Sequence, residues 1–228
     1  MNLEKIVEDV RTLSNEEFAM ARRNGIGASD SSAILRAYPG KFGMSEQELL
    51  NQKCSTVYTE AEKEISDKPN VRKGSDLEPM ILDKAEKKLN RKVKKDFSMY
   101  RIKKVPYLTV SFDGLTEDNT PVEAKYCSPY GDKYYDWGKA GEELPKFGST
   151  DVIECAEFYG IPPYYYVQVQ HQMIAAESNE AYLAVLRDKD WTLYLFKIPA
   201  NKDIQEKIKI EGYKFWQKVE ISKRSGLS

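Results

Sequence analysis

Apolar residues recur at helical spacing through the first third of the chain. In two places a serine is followed three residues later by a glutamate, which is the spacing of a capping box and predicts a helix start. These pairs are Ser14 with Glu17 and Ser45 with Glu48. Between them, residues 25–38 (GIGASDSSAILRAY) predict a glycine turn and a helix that begins at Ser29 or Asp30.

Three other stretches of this region carry different patterns. Residues 76–89 (DLEPMILDKAEKKL) predict a helix with one apolar face. That face consists of Leu77, Met80, Ile81, Ala85 and Leu89. Residues 1–13 (MNLEKIVEDVRTL) predict a charged amphipathic helix, whereas the polar, poorly periodic residues 53–71 predict a loop or a mobile segment.

Beyond residue 96 the apolar period changes to two, which is typical of strands. The predicted strands are FSMYRIK (97–103), YLTVSFDG (107–114) and PVEAKYC (121–127), then AYLAVLRD (181–188) and WTLYLFKIP (191–199). A helix, YYYVQVQHQMIAAES (164–178), precedes the last two strands, and a helix at 203–220 follows them. This order predicts a mixed α/β (α+β) fold, a central mixed β-sheet flanked by helices. We expect a single domain over 1–228 with its core at about 18–200.

Composition limits the classes of function. The 228 residues are 41% hydrophobic, enough for one sizeable core, and the net charge is only −1. A protein that coats nucleic acid through charge alone would be basic, so a DNA partner must be held by local groups. The cysteines at positions 54, 127 and 155 lie far apart and predict reduced thiols of an intracellular protein.

A single histidine, His171, argues against sites that need several imidazoles, and it is the only candidate for a Ser-His-Asp triad. No apolar run approaches the roughly 18 residues of a membrane span, and the N-terminus lacks the apolar core of a signal peptide. We therefore expect a cytoplasmic protein whose chemistry depends on carboxylates, lysine and a hard metal.

Charged residues interrupt two of the predicted strands. If the strands on either side of the turn TEDNT pair as an antiparallel hairpin, Glu123 and Lys125 share a face and Asp113 lies beside them. Two close carboxylates favour a bound cation, and oxygen ligands suit Mg²⁺ or Mn²⁺. We predict a metal held by Asp113, Glu123 and the main-chain carbonyl of Ala124. Lys125 would position or activate the water that attacks a phosphate.

Local sequence also permits a simpler interpretation. Asp113 could be a turn residue before Gly114, and Glu123 with Lys125 could be a solvated pair on an edge strand. The same short pattern recurs at Asp76 with Glu86-Lys87-Lys88, where it lies in a helix. Strand context distinguishes the two occurrences.

Five short motifs occur in one order along the chain: ARRNGIGASD, RKGSDLEPMI, VSFDGL, VEAKYCSP and YYYVQVQHQM. Their order and spacing, from about residue 18 to residue 175, resemble the phage lambda exonuclease and YqaJ-type viral recombinase family of the PD-(D/E)xK nuclease superfamily. The resemblance implies a restriction-endonuclease-like core. It also implies Mg²⁺-dependent hydrolysis of one strand of duplex DNA from its 5′ end.

The resemblance implies roles for particular residues. The implied ligands of one or two Mg²⁺ ions are Glu78, Asp113 and Glu123, and the implied catalytic lysine is Lys125. Gln168 matches a glutamine at the edge of the active site, although Gln170 and Gln172 leave the choice of glutamine open. Without the resemblance, Glu78 would be interpreted as a solvated helix residue.

Arg22, Ser29 and Ser111 match residues that form a pocket for a terminal 5′-phosphate in that family. On physical grounds as well, an arginine fork with hydroxyl groups near a helix start favours the binding of an anion. Phe112 stands where the family often has proline, and Phe18 where the lambda enzyme has tryptophan.

Two segments have no assigned role. The tyrosine-rich residues 130–160 are longer than the resemblance leads us to expect, and either pack as a loop or stack on a base. The basic residues 84–95 either contact backbone phosphates or form a solvated helix end.

The predicted function is a 5′-to-3′ exonuclease on double-stranded DNA that leaves 3′ overhangs for phage-type recombination. The resemblance further implies a homotrimeric ring around DNA, a single-strand annealing protein as partner, and a phage or prophage protein in a bacterial host. Two alternatives stay open. A structure-selective endonuclease of the same superfamily would cut a closed circle, and a non-catalytic DNA-end-binding module would not cut DNA in Mg²⁺.

Overall fold

The computed structural model describes residues 1–38, 43–129 and 151–225. Its strands are β1 (Leu3–Val7), β2 (Val93–Lys95), β3 (Met99–Ile102), β4 (Thr109–Ser111), β5 (Gly114–Thr116), β6 (Pro121–Cys127), β7 (Glu180–Arg187) and β8 (Leu193–Pro199). Its helices are α1 (Asn15–Arg22), α2 (Asp30–Ile34), α3 (Glu46–Cys54), α4 (Glu60–Asp67), α5 (Pro69–Leu89), α6 (Val152–Tyr159), α7 (Pro163–Ala176) and α8 (Lys202–Arg224).

The strands form two sheets. One is antiparallel with the order β1-β3-β4, and the other has five strands in the order β2-β5-β6-β7-β8. In the larger sheet β6 and β7 are parallel, while the other neighbours are antiparallel. Helix α5 packs against one face of β6 and α7 against the other. The predicted central mixed sheet flanked by helices is confirmed.

Strand β6 lies between two hydrophobic clusters because its side chains alternate. Val122 and Ala124 belong to the cluster that includes Ile81 and Leu82 of α5. Cys127, on the opposite face, belongs to the cluster that includes α7 residues. Glu123 and Lys125 therefore point towards α7.

The predicted strand 107–114 is two strands, and the expected hairpin is only partly correct. Thr109–Ser111 pairs with β3, whereas only Gly114 and Leu115 pair with β6. The chain leaves one sheet and enters the other at Phe112 and Asp113. At Gly114 a Cβ atom would lie 2.7 Å from Val93 Cγ1, so the close approach of β5 to β2 excludes larger residues.

Two other predictions are wrong. Residues 1–13 form strand β1 and a short 3₁₀ turn at Val10–Thr12 instead of a helix, because pairing with β3 satisfies the backbone of Leu3–Val7. Residues 53–71 are mainly helical instead of a loop, since α3 reaches Cys54 and α4 occupies Glu60–Asp67. Thr59 and Glu62 form a capping box at the start of α4.

The remaining helical predictions agree with the structure. Both predicted capping boxes, Ser14 with Glu17 and Ser45 with Glu48, are present. Helix α2 begins at Asp30, and α5 begins at Pro69, earlier than the periodic residues 76–89 indicated. The cysteines at 54, 127 and 155 are buried free thiols. In the described ranges, no helix combines the length and apolar character that crossing a bilayer requires.

A long-range ion pair holds the unpredicted helix α4. Arg23 Nη2 donates to both carboxylate oxygens of Glu62, at 2.9 and 2.8 Å. The two side chains are only 5% and 11% exposed. Glu62 also closes the capping box, because its carboxylate accepts from Thr59 N at 2.8 Å.

Glu62→Gln should lower the free energy of unfolding by about 3 kcal/mol, because it leaves a nearly buried guanidinium without its counter-ion. The exposed Glu64 of the same helix provides the matched control, and Glu64→Gln should change stability by less than about 0.5 kcal/mol. Urea unfolding of both variants measures the difference. Equal stabilities would contradict the role given to the Arg23 pair.

Candidate active site

The loop between α1 and α2 is fixed against β4. Ile26 N donates to Tyr107 O and Thr109 N donates to Ile26 O, both at 2.8 Å, which forms an isolated parallel bridge. Gly25 permits this approach, since a Cβ there would lie 2.4 Å from Thr109 Cγ2. The bridge brings the ends of α1 and α2 beside the strand that leads to Asp113.

Asp113 lies where the chain passes between the two sheets. Its Oδ2 accepts from Ala124 N at 2.8 Å. The N–H and C=O of one strand residue point to the same side, so the carbonyl of Ala124 also faces Asp113. On β6, Lys125 Nζ donates to Glu123 Oε1. Asp113, Glu123 and Lys125 are thus brought together as predicted.

Helix α7 contributes two glutamines to this group. Gln168 Nε2 donates to Glu123 Oε1, and Gln172 Nε2 donates to Glu123 Oε2. Gln170 instead bonds with Pro199 O and Asn201 N, both at 2.9 Å. Of the three glutamines left open by the sequence, two contact Glu123. Gln172 was not selected from the sequence, and its four-residue spacing from Gln168 is the signal that could have identified it.

Arg22, Ser29 and Ser111 share one cleft with Asp113, Glu123, Lys125 and Gln168. The cleft has a volume of about 180 Å³. We call Arg22, Ser29 and Ser111 the arginine site. The carboxylate cluster denotes Glu78, Asp113, Glu123 and Lys125. Glu78 is half-buried on α5 and does not line the cleft, but its charge reaches Asp113 and Glu123.

The carboxylate cluster is electrostatically unfavourable as it stands. Burial, together with the charge of Glu123, raises the pKa of Asp113 well above its ordinary value. The same two causes raise the pKa of Glu78. Burial opposes the charged form of Lys125, but Glu123 and Asp113 outweigh it and raise the pKa of its ammonium. One lysine therefore faces three carboxylates.

The donor set fits a divalent hard cation in its chemistry. It consists of carboxylate and carbonyl oxygens, the ligands that Mg²⁺ and Mn²⁺ prefer. Gln172 Oε1, buried beside Glu123, has no hydrogen-bond partner within the described part of the chain. In the side-chain positions described here, no three acidic, histidine or cysteine residues converge closely enough to hold an ion. Metal binding therefore requires the carboxylates of the cluster to move closer together.

The arginine site is supported by buried charges. Arg22 Nη2 donates to Ser29 Oγ at 3.0 Å and to Asp30 Oδ1 at 2.7 Å. Lys53 Nζ donates to Asp30 Oδ2 at 2.6 Å. Burial acts against the charge of Asp30, yet Lys53 and Arg22 lower the pKa of its carboxyl to about 2. Sequence reasoning missed the roles of Asp30 and Lys53, which are distant in sequence.

His171 is buried and structural in its contacts. Its Nε2 lies 3.0 Å from Thr109 O and its Nδ1 lies 2.7 Å from Ser31 Oγ. A carbonyl can only accept, so Nε2 carries the proton and Nδ1 accepts from the Ser31 hydroxyl. Burial lowers the pKa of His171 to about 4. Of the unassigned segment 130–160, residues 130–150 lie outside the described residues, and α6 occupies Val152–Tyr159.

A model of the YqaJ-like viral recombinase domain matches residues 17–179, close to the region that the five motifs indicated. The predicted resemblance is therefore confirmed. A search of curated proteins finds no match.

Solved structures show the same fold at low identity. An alkaline exonuclease (LHK-Exo) from Laribacter hongkongensis aligns with a TM-score of 0.62 and 16% identity, over 90% of this chain and 92% of that one. Its complex with dAMP aligns with a TM-score of 0.64 and 16% identity, over 92% of this chain and 94% of that one. A phage-related exonuclease from Haemophilus somnus 129PT aligns with a TM-score of 0.54 and 13% identity, over 90% of this chain and 96% of that one.

The low pKa of His171 makes stability depend on pH. The pKa drops from 6.5 to about 4 on folding, so the unfolded chain binds more protons between these values. The stabilisation is complete above pH 6.5 and is lost as the pH falls towards 4. Between pH 7 and pH 5 the loss should be about 2 kcal/mol.

Urea unfolding of the wild type and of His171→Gln at both pH values isolates this contribution, because all carboxylates are common to the two proteins. The variant should be less stable at pH 7 but should lose about 2 kcal/mol less on acidification. An identical loss in both proteins would show that His171 does not titrate as described.

Proposed function

Because the chain belongs to the YqaJ-like viral recombinase domain family, we propose that it is a metal-dependent exonuclease that degrades one strand of duplex DNA from its 5′ end. The observation that supports this most is the single cleft that the arginine site shares with Asp113, Glu123 and Lys125 of the carboxylate cluster. A DNA end presents a terminal phosphate and a scissile phosphodiester close together on one strand. A cleft that joins an anion site to a hydrolytic site matches this substrate.

The carboxylate cluster is the proposed centre of hydrolysis. Glu78, Asp113, Glu123 and the carbonyl of Ala124 would hold one or two Mg²⁺ ions, with Mn²⁺ as a substitute. A divalent ion supplies positive charge that stabilises the attacked phosphate and makes water more acidic. Glu123 and Ala124 lie on β6, Glu78 lies on α5, and Asp113 lies between β4 and β5. Placement of ligands on strands and helices suits a site that must converge on one point.

Lys125 is the proposed catalytic lysine. The charges of Glu123 and Asp113 raise the pKa of its ammonium, which donates a hydrogen bond to Glu123. It would orient the attacking water and offset the negative charge that develops on the phosphate. Gln168 and Gln172 fix the carboxylate of Glu123 to which Lys125 donates.

The arginine site is the proposed receptor for the 5′-phosphate. Within the described residues, the hydrogen bonds of the Arg22 guanidinium to protein groups come from Nη2, which leaves Nε and Nη1 to donate to a phosphate. The hydroxyls of Ser29 and Ser111 line the same cleft. An end-binding group at this place supports exonuclease action over internal cutting.

Removal of nucleotides from 5′ ends leaves 3′ single-stranded overhangs, the substrates of strand annealing. We extend the proposal to a homotrimeric ring around DNA and to a single-strand annealing protein as partner. A ring would explain how a chain of net charge −1 stays on DNA, since enclosure replaces bulk attraction.

Lys125→Ala should reduce the degradation of 5′-phosphorylated linear duplex DNA in Mg²⁺ by about 10²-fold or more, because it removes charge stabilisation from the transition state. The exposed Lys103, which follows β3, supplies the control, and Lys103→Ala should retain wild-type activity. Gel electrophoresis of linear and closed-circular substrates, in Mg²⁺ and in EDTA, provides the measurement.

The outcomes separate the candidate functions. The exonuclease is supported if the linear duplex is degraded and the closed circle is not, if degradation occurs in Mg²⁺ but not in EDTA, and if Lys125→Ala abolishes it. Cutting of the closed circle would support an endonuclease of the same superfamily. Absence of cutting by folded protein in Mg²⁺ and in Mn²⁺ would support a DNA-end-binding module.

A further inference from the structure

A buried lysine, Lys53, contacts Arg22 of the arginine site and its partner Asp30. The side chain of Lys53 is 2% exposed, and that of Asp30 is 5% exposed. Lys53 Nζ donates to Asp30 Oδ2 at 2.6 Å and to the main-chain oxygen of Arg22 at 2.7 Å. Asp30 in turn accepts from Arg22 and from Gly27 N, the latter at 2.8 Å.

Lys53 contacts Asp30 and does not line the cleft that holds Asp113. Arg22 and Ser29 line the cleft, whereas Asp30 and Lys53 are not among the described residues that do. The side chain of Arg22 is 38% exposed, far more than those of Asp30 and Lys53. All three also line a second cavity, of about 340 Å³, together with Ser29. Lys53 can therefore act on a ligand in the cleft through its charge and through Asp30.

The charge count shows why this lysine matters. Arg22 and Asp30 alone would form a neutral pair, and a neutral pair attracts an anion weakly. Lys53 adds a second positive charge, so the three groups together carry one net positive charge. Lys53 Nζ donates to the carboxylate of Asp30 and to a main-chain oxygen. Burial lowers the pKa of the Lys53 ammonium, and the charge of Asp30 opposes this effect.

A terminal phosphate monoester carries a charge of about −1.5 to −2 near pH 7, more than the single charge of a phosphodiester or the absence of charge at a 5′-hydroxyl. The net charge of the arginine site therefore changes the binding of a 5′-phosphorylated end more than the binding of a 5′-hydroxyl end. Burial of Lys53 keeps its charge poorly screened by salt.

We infer that Lys53 is a specificity-determining residue, which gives the arginine site the net positive charge needed to prefer a 5′-phosphorylated end over a 5′-hydroxyl end. This inference rests on the proposed function, because it presumes that DNA ends bind at Arg22. Lys53 touches no substrate and is a positioning residue for Arg22 and Asp30.

The test compares rates of degradation of 5′-phosphorylated and 5′-hydroxyl linear duplexes in Mg²⁺, as a ratio for each protein. Lys53→Met removes the charge and keeps the length of the side chain, and should lower the ratio by about tenfold. Lys53→Arg retains the charge and should keep most of the preference. The double variant Asp30→Asn with Lys53→Met again has one net positive charge and should recover the preference.

A second readout does not need catalysis. Fluorescence anisotropy in EDTA gives the affinity of each protein for the two duplexes, and the affinity ratio should follow the same order. If Lys53→Met does not fold, Asp30→Asn can be compared with the double variant, because these two proteins differ only at Lys53. The affinity ratio of the double variant should be lower than that of Asp30→Asn.

Each result bears on a different claim. The inference would be overturned if folded Lys53→Met kept the wild-type ratio of rates on the two ends. It would also be overturned if the double variant preferred the phosphorylated end no more than Lys53→Met does. In both cases the nuclease assignment stands. A wild type that degrades both ends equally would overturn the inference and the 5′-phosphate receptor together. A wild type that degrades neither contradicts the proposed function, and the anisotropy ratios then decide the role of Lys53 separately.

Discussion

Burial of the Glu123 carboxylate is the constraint on which the rest of the site depends. Glu123 is 1% exposed, and it receives hydrogen bonds from Lys125, Gln168 and Gln172. A buried carboxylate is tolerated only when it is paired and hydrogen-bonded. Strand β6 lies between α5 and α7. Lys125 comes from the same face of β6 as Glu123, and the two glutamines come from α7. The same burial places Glu123 close enough to Asp113 and Glu78 to raise the pKa of both.

The passage of the chain between two sheets brings chemistry and end recognition together. β4 belongs to the sheet that holds the α1–α2 loop, and β5 belongs to the sheet that holds Glu123. Asp113 lies at the passage, so Ser111 on one side belongs to the arginine site, while Asp113 accepts from Ala124 N on the other. Each half of the site thus rests on a different sheet, and two residues of backbone connect them.

The sequence was informative where local pattern sets geometry. Alternation along β6 predicted that Glu123 and Lys125 share a face, and two serine–glutamate pairs predicted helix starts that the structure contains. It failed where long-range contacts decide. Residues 53–71 are helical partly because Arg23 binds Glu62 across 39 positions, and Lys53 lies 23 positions from the Asp30 that it binds. Strand β1 was missed because its pairing partner, β3, follows about ninety residues later.

The central claim is that the carboxylate cluster is destabilising until a cation binds. The most direct measurement is the free energy of unfolding of the wild type and of Asp113→Asn, in EDTA and in Mg²⁺ or Mn²⁺, with Asp76→Asn as an exposed control from the helix that carries Glu78. The account predicts that Asp113→Asn is more stable than the wild type in EDTA, since asparagine can still accept from Ala124 N without adding charge. At a metal concentration about 100-fold above the dissociation constant, the wild type should gain about 2.7 kcal/mol, and Asp113→Asn much less. A wild type that metal does not stabilise, or an equal gain in Asp113→Asn, would contradict the account.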